Sequence, residues 1–458
     1  MPAGPLSTDL YALTMAAAYF ASGKTSISSF ELFVRTLPGT RGYLIAAGLE
    51  QVISYLEKWR FTAAEIMYLR SIPELGAADP KFFEDFLPNL RFTGDVWAVA
   101  EGTPIFAGEP IVRVTAPLPE AQLVETALLT TTLFQTAIAS KAARVSEAAG
   151  GRPVIEFGGR RAHGTDAAMY AARASYLAGC QATSNLEAGY RFGLPVSGTM
   201  SHSWVMSHSD ELEAFSRHME VYGEQSVLLI DTYDPIGAAN LIVRAGLQPA
   251  AVRLDSGNLA RLSLAVRKIL DGGGLGETKI FVSGDLDEYK VEALVSSDVP
   301  VDGFGVGTAL STSSDAPSLN GVYKLVEIDR GGTMMPLMKL SPEKVTYPGA
   351  KQVWRVRDSS GPVHDVLGLR TEANPVGGEP LLSCVVKGGV RQQPMRAIEE
   401  VQRYCRSALG SFPKEVRYCR NAAVYPVVIS TTLDGLTATL SSKLSERSDT
   451  VDWNSRLL

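Results

Sequence analysis

The sequence predicts an α/β fold built around a parallel sheet or barrel. Three observations predict it. Between about Pro153 and Leu310, short apolar runs recur and end in polar or glycine residues. Segments with apolar residues at helical spacing separate those runs. The residues able to do chemistry fall at or just past the carboxyl ends of the runs, which form one face in a barrel.

The runs are Pro153–Phe157, Ser226–Asp231, Ala250–Asp255, Lys279–Ser283 and Val301–Phe304. Continuous apolar runs of this length suit parallel strands buried on both faces. The helical segments between them are Asp166–Leu177, Asp210–Tyr222, Pro235–Ala245, Gly257–Leu270 and Leu286–Val295. Such repeated alternation implies an α/β sheet or barrel. Gln122–Ala148 holds no glycine or proline and reads as a helix entering it. Residues 27–37 and 91–115 read as strands with turns, as do 353–358 and 379–390, and Arg396–Ser407 reads as a helix. The expectation is a barrel over 121–325, with 1–120 and 326–458 joining into one side domain. The glycines of Asp271–Gly276 follow a helix and precede a strand, so they read as a connecting loop on the opposite face.

Composition bounds the function. Hydrophobic residues make up 45% and charged residues 20% of the 458, an ordinary globular balance. The net charge of −6 gives no basic surface for nucleic acid. No apolar run approaches roughly 18 residues, so no membrane span is expected. The N-terminus lacks the pattern of a signal peptide. Cys180, Cys384, Cys405 and Cys419 are too sparse for a disulfide framework, and the last three show no recognisable ligand spacing. A reducing cytoplasm is the simple reading.

Several motifs carry chemistry. Ser7–Tyr11 opens a helix that Thr8 or Asp9 can cap, and Tyr11 in its first turn can project a ring towards a neighbouring site. Glu156–Arg161 sets Phe157, two glycines and two arginines at a strand end. Guanidinium groups there suit phosphate or carboxylate, unless one pairs with Glu156 or Asp166. Ser197–Trp204 follows another expected strand, Leu194–Val196, and makes His202 a candidate nucleophile or acid/base ahead of His208. Arg253–Asn258 gathers a cation, an anion and a hydroxyl in one turn. Asp255 there can accept ribose hydroxyls or hold magnesium through water, whereas a helix cap would explain Asp255 and Ser256 but not Arg253. Ser283–Asp285 and Gly303–Thr308 form two successive glycine-rich turns whose N–H groups suit phosphate.

Together these blocks, with Ala182–Asn185, closely resemble nicotinate phosphoribosyltransferases from Thr8 to about Val326. The one local departure is Met200-Ser201 before the histidine. The resemblance implies an irregular α/β barrel with a mixed α+β side domain formed by the N- and C-terminal segments, and a homodimer with active sites at the subunit boundary. It also implies that nicotinate, phosphoribosyl pyrophosphate, ATP and water become nicotinate mononucleotide, pyrophosphate, ADP and phosphate, with Mg2+ assisting. Tyr11, which in a dimer can come from the other subunit, and Phe157 are expected to stack on the pyridine ring. Arg160 is expected near the phosphates or the nicotinate. His202 matches the histidine phosphorylated by ATP, and Arg253 and Asp255 would contact substrate and ribose. Gly284, Asp285, Gly305 and Gly307 would line the 5′-phosphate site. Thr199, Ser203, Ser256 and Thr308, inside the same motifs, complete the expected substrate-binding set. Related nicotinamide-specific enzymes place a carboxylate where this chain has Thr183-Ser184-Asn185, which favours an anionic base.

Overall fold

The computed structural model describes residues 4–340, 346–374 and 377–450. Its centre is a curled, six-stranded parallel sheet forming half a barrel. The strands run in the order Ala182–Thr183, Val154–Glu156, Gly303–Val306, Lys279–Val282, Ala251–Leu254 and Val227–Leu229. Every neighbouring pair is parallel. The apolar runs are buried as a double-sided sheet requires: Leu228, Val252, Leu254, Ile280, Val282, Phe304 and Val306 are all fully inaccessible. Each such side chain contributes about 1.5–3 kcal/mol on burial.

Two strand expectations shift. The last strand is Gly303–Val306 rather than Val301–Phe304, because Phe304, Gly305 and Val306 register with Val154, Ile155 and Glu156. Leu194–Val196 makes only one isolated bridge, Val196 to Thr183. Asp271–Gly276 does run from the end of helix Leu259–Gly272 to the strand beginning at Lys279.

The side sheet has seven strands and is antiparallel throughout. It pairs Ile27–Val34 with Pro110–Pro117 and Gly321–Asp329, and Asp95–Val99 with Leu382–Lys387. Both ends of the chain thus enter one sheet. A separate four-stranded sheet comes from the C-terminal segment alone, with Lys351–Asp358 and Gly361–Leu369 at its centre. Helix Ile398–Gly410 instead buries Ile398, Val401, Cys405 and Leu409 in the barrel's core.

The helix Glu125–Ala148 joins the two cores. Ala127 and Leu128 pack with the side sheets, while Ile138, Ala139, Ala142 and Val145 pack with the barrel. Its buried hydroxyls serve the backbone beside it. Ser140 Oγ accepts from the Ile45 N–H at 2.9 Å and Thr136 Oγ1 from the Ala47 N–H at 3.2 Å, so those N–H groups are not left orphaned. Among the described residues no helix is long and apolar enough to cross a membrane.

Candidate active site

The carboxyl ends of the parallel strands open into a cleft of about 570 Å³. Of the expected site residues, Phe157, Arg160, Thr199, His202, Arg253 and Asp255 line it. Ser184, Asn185 and Leu229, outside the expected substrate-binding set, line it too.

Arg253 organises the floor. Its Nη2 donates to Asp255 Oδ1 at 2.6 Å, its Nε to Ser283 Oγ at 2.8 Å and its Nη1 to Thr199 Oγ1 at 2.8 Å. Alternation along the strand Ala251–Leu254 turns Arg253 away from the fully buried side of Val252 and Leu254. Burial pushes the Asp255 carboxyl up, but the Ser283 hydroxyl, Arg253 and His202 outweigh it and hold the group below its ordinary value. Asp255 is therefore an anion at neutral pH.

Behind Asp255 stands Asp231, at the end of the neighbouring strand. Its Oδ2 accepts from the Asp255 N–H at 2.9 Å and from Ser256 Oγ at 2.6 Å, while its buried Oδ1 has no hydrogen-bond partner. Ser256 thus braces the turn. Neither Asp255 nor Ser256 caps the next helix; Asn258 does, accepting from the Arg261 N–H.

His202 is the first residue of the short helix His202–Met206. Its Nδ1 lies 3.2 Å from Thr232 Oγ1 and its Nε2 3.9 Å from Asp255 Oδ2. One ring nitrogen is therefore held while the other faces a carboxylate across the cleft. The Ser203 hydroxyl pairs with Ser201 and does not line the cleft. His208 is tied to the Trp204 carbonyl at 2.8 Å, and its ring lies 4.5 Å from the Trp204 ring.

The turn Glu156–Arg161 is built by Glu156 itself. This buried carboxylate accepts from the Gly158 N–H and from Thr183 Oγ1, and burial pushes its carboxyl up. It pairs with neither arginine of its motif, and Arg160 stands exposed on the cleft wall. The Phe157 ring is bounded by Arg253, Phe281 and the Gly305 backbone. Gly305 is buried within its strand, where a Cβ would meet the Phe157 ring at 2.6 Å. Its missing side chain admits that ring.

The remaining expected residues lie outside the cleft lining. Gly284 has φ +96°, and a Cβ there would lie 1.8 Å from the Asp255 carbonyl oxygen, so only glycine fits. Asp285 and Thr308 are exposed, and Gly307 precedes the short helix Thr308–Ser311. Tyr11 is 47% exposed and its hydroxyl donates to Glu125 at 3.1 Å. Thr8 and Asp9 make no side-chain cap; Thr8 donates to the Leu123 carbonyl, and Asp9 accepts from Thr126, pinning the first helix to the long one.

Two contributors had little or no signal in the sequence. Thr232 is an ordinary residue after a strand. Ser283 stood in a glycine turn read for its N–H groups, and its hydroxyl reaches across to the adjacent strand's Asp255. Among the described residues no group of three or more His, Cys, Asp or Glu could hold a metal ion, and the four cysteines are free.

Comparison with known proteins identifies the family. Residues 6–132 match the N-terminal domain of nicotinate phosphoribosyltransferase (NAPRTase), and residues 370–437 its C-terminal domain. A nicotinate phosphoribosyltransferase of Mycobacterium tuberculosis is 44% identical over 95% of this chain and 94% of its own length. One from Bacillus subtilis is 46% identical over 78% of this chain and 74% of its own. The crystal structure of human nicotinic acid phosphoribosyltransferase superposes with a TM-score of 0.83 at 29% identity, covering 94% of this chain and 99% of that one. The half-barrel, its cleft and these relatives together place the chain in the nicotinate phosphoribosyltransferase family.

Proposed function

We propose that the cleft joins nicotinate to the anomeric carbon of phosphoribosyl pyrophosphate, releasing pyrophosphate, and that ATP drives the reaction through His202. The observation that carries this reading is the hydrogen-bonded set Arg253–Asp255–Ser283, with His202 3.9 Å from the same carboxylate.

The pyridine nitrogen attacks with its own lone pair and needs no deprotonation. The transition state gathers positive charge at the anomeric carbon, so positioning and electrostatics matter more than a strong base. Asp255 supplies a fixed negative charge and an acceptor for ribose hydroxyls. Arg160 on the wall offers a two-point partner for the nicotinate carboxylate or a phosphate. Thr183-Ser184-Asn185 carries no carboxylate, which favours an anionic base over an amide. The turns at Gly284–Asp285 and Gly307–Thr308 are the proposed 5′-phosphate site.

His202 is positioned to carry a phosphoryl group. Thr232 holds Nδ1, leaving Nε2 towards the cleft, as a phosphorylatable imidazole requires. Asp255 and Asp231 are hard oxygen donors, and the unpartnered Asp231 Oδ1 is compatible with a magnesium ion completed by waters and substrate phosphates. When bound, that ion supplies positive charge to the departing pyrophosphate.

We place the reaction in the cytoplasm, where its four thiols stay reduced. We also propose a homodimer with shared sites. Tyr11 does not line the cleft of its own chain, and Leu186, Tyr190, Val196 and Met206 expose apolar surface on the elements that form the cleft wall. A second copy covering this wall would bring its own Tyr11 to the pyridine ring.

The test is pyrophosphate release with nicotinate and with nicotinamide at matched concentrations. Strong preference for nicotinate is expected. Equal turnover of the two bases would refute the anionic-base reading.

A further inference from the structure

One buried lysine pairs with two carboxylates that follow the two glycine-rich turns in the chain. Lys141 lies on the long helix Glu125–Ala148 and is 1% exposed. Its Nζ is 2.5 Å from Glu288 Oε2 and 2.8 Å from Asp315 Oδ1. Glu288 opens the helix that follows the Ser283–Asp287 turn. Asp315 comes just after the short helix that Gly307 introduces.

Each carboxylate already has a guanidinium. Arg144 Nε reaches Glu288 Oε1 at 3.0 Å, and Arg41 reaches Asp315 through Nε at 3.1 Å and Nη2 at 3.0 Å. A buried ammonium is costly unless paired, and here the anions are matched without it. What Lys141 adds is the link, since within this cluster it alone contacts both carboxylates.

The joined segments are under backbone strain. Asp285 has φ +48° and Ser313 φ +46°, two of the four non-glycine residues with positive φ among the described residues. Such conformations persist only where surrounding contacts enforce them, and they gather at ligand clamps. The contacts are present here. Arg41 Nη2 donates to Ser313 Oγ at 2.6 Å, and Lys290 Nζ donates to the Asp285 carbonyl at 2.6 Å.

We propose that Lys141 is a positioning residue for the phosphoribosyl donor. Its ammonium sets the spacing between the Gly284–Asp285 turn and the Gly307–Thr308 turn, and thereby how well they accept the 5′-phosphate. This rests on the reading of those turns as the phosphate site.

The test is steady-state kinetics of the full-length enzyme against both substrates. Lys141→Met leaves Glu288 paired with Arg144 through Oε1 and Asp315 with Arg41, so each carboxylate keeps its guanidinium while Glu288 Oε2 loses its cation. Asp315→Ala, at a partly exposed position, removes the acceptor and cuts the same link by a second route, leaving Arg41 with Ser313 and the Ala137 carbonyl. Both variants should raise KM for phosphoribosyl pyrophosphate about tenfold, a cost in keeping with a turn misplaced by a fraction of an ångström. KM for nicotinate and kcat should stay within about twofold, and Lys141→Arg should restore most of the affinity. Parallel rises in both KM values, or no change in either, would overturn the inference. Thr308→Pro, which removes a backbone N–H at the first position of the helix Thr308–Ser311, separates the two levels. If it leaves KM for phosphoribosyl pyrophosphate unchanged, the phosphate reading of that turn falls, and the inference with it. If it raises KM and the two link-cutting variants do not, the inference falls alone.

Discussion

The Arg253 guanidinium lies 5.3 Å from the centre of the Phe157 ring while its Nη2 donates to Asp255 at 2.6 Å. A cation thus bridges the Phe157 ring and the Asp255 carboxylate, the groups proposed to meet the base and the ribose. Because Arg253 also holds Thr199 and Ser283, it sets the relative positions of three segments far apart in sequence.

Arg253→Lys keeps the charge but removes the fork that binds Ser283, Asp255 and Thr199 together. Breaking a hydrogen bond to a charged group costs about 1.5–3 kcal/mol. The expected result is a fall in kcat/KM on the order of a hundredfold. Activity within about twofold of the parent would show that the fork is not needed.

Ser283→Ala tests the ionisation of Asp255. Burial raises this carboxyl, and Ser283, Arg253 and His202 together depress it. A group depressed in the folded state contributes fully above its unfolded value and loses that contribution as pH falls through the folded one. Removing Ser283 takes away the largest depressing influence, so the acid limb of the kcat/KM profile should move to higher pH. An unmoved limb would mean that Asp255 does not set it.

His202→Ala should abolish ATP hydrolysis and the stimulation of synthesis by ATP, leaving slow uncoupled synthesis. His208→Ala should leave both, since His208 is committed to the Trp204 carbonyl and ring. Acid-labile, base-stable phosphate from labelled ATP is the measurement. Labelling that survives in His202→Ala but vanishes in His208→Ala would move the role to the other histidine.

Tyr11→Ala and His202→Ala proteins, each impaired alone, should recover part of their activity when mixed, if each cleft uses the partner's tyrosine. Burial, and then Glu125, push the Tyr11 phenol up to about 12, so it stays a donor at neutral pH. Full activity from a verified monomer would rule out the shared site.

Glu109 predicts a pH dependence far from the cleft. Burial, and then the Asp365 carboxylate, push its carboxyl well above the usual range despite Arg355 and the Phe106 N–H. A raised folded value gives stability that is present at low pH and lost as pH rises through it. Glu109→Gln keeps the shape without the titration. Its urea-unfolding midpoint should decline less from mildly acidic to mildly alkaline pH than that of the parent, and equal declines would count against the assignment.

The sequence by itself determined the parallel strands, the helices between them and the grouping of polar residues at strand ends. These follow from local rules. A strand buried on both faces must be a continuous apolar run, and a helix must show its 3.6-residue period. Arg253, Asp255 and Phe157 were legible because each sits near the end of a run, and His202 because of its motif, although the strand expected before it is only an isolated bridge. Tertiary structure alone decided the rest. Thr232 holds His202 from 30 positions away, and Ser283 holds Asp255 from 28. Gly305 is needed for the ring of Phe157, and Asp9 pins one helix to another where local pattern suggested a cap. Helix Ile398–Gly410 belongs to the barrel's core although it lies late in the chain. Lys141, one of many polar residues on its helix, touches the segments that follow two turns distant from each other in the chain. Such pairings leave no period or spacing in the sequence, because a hydrogen bond or ion pair across strands depends on where the folded backbone returns.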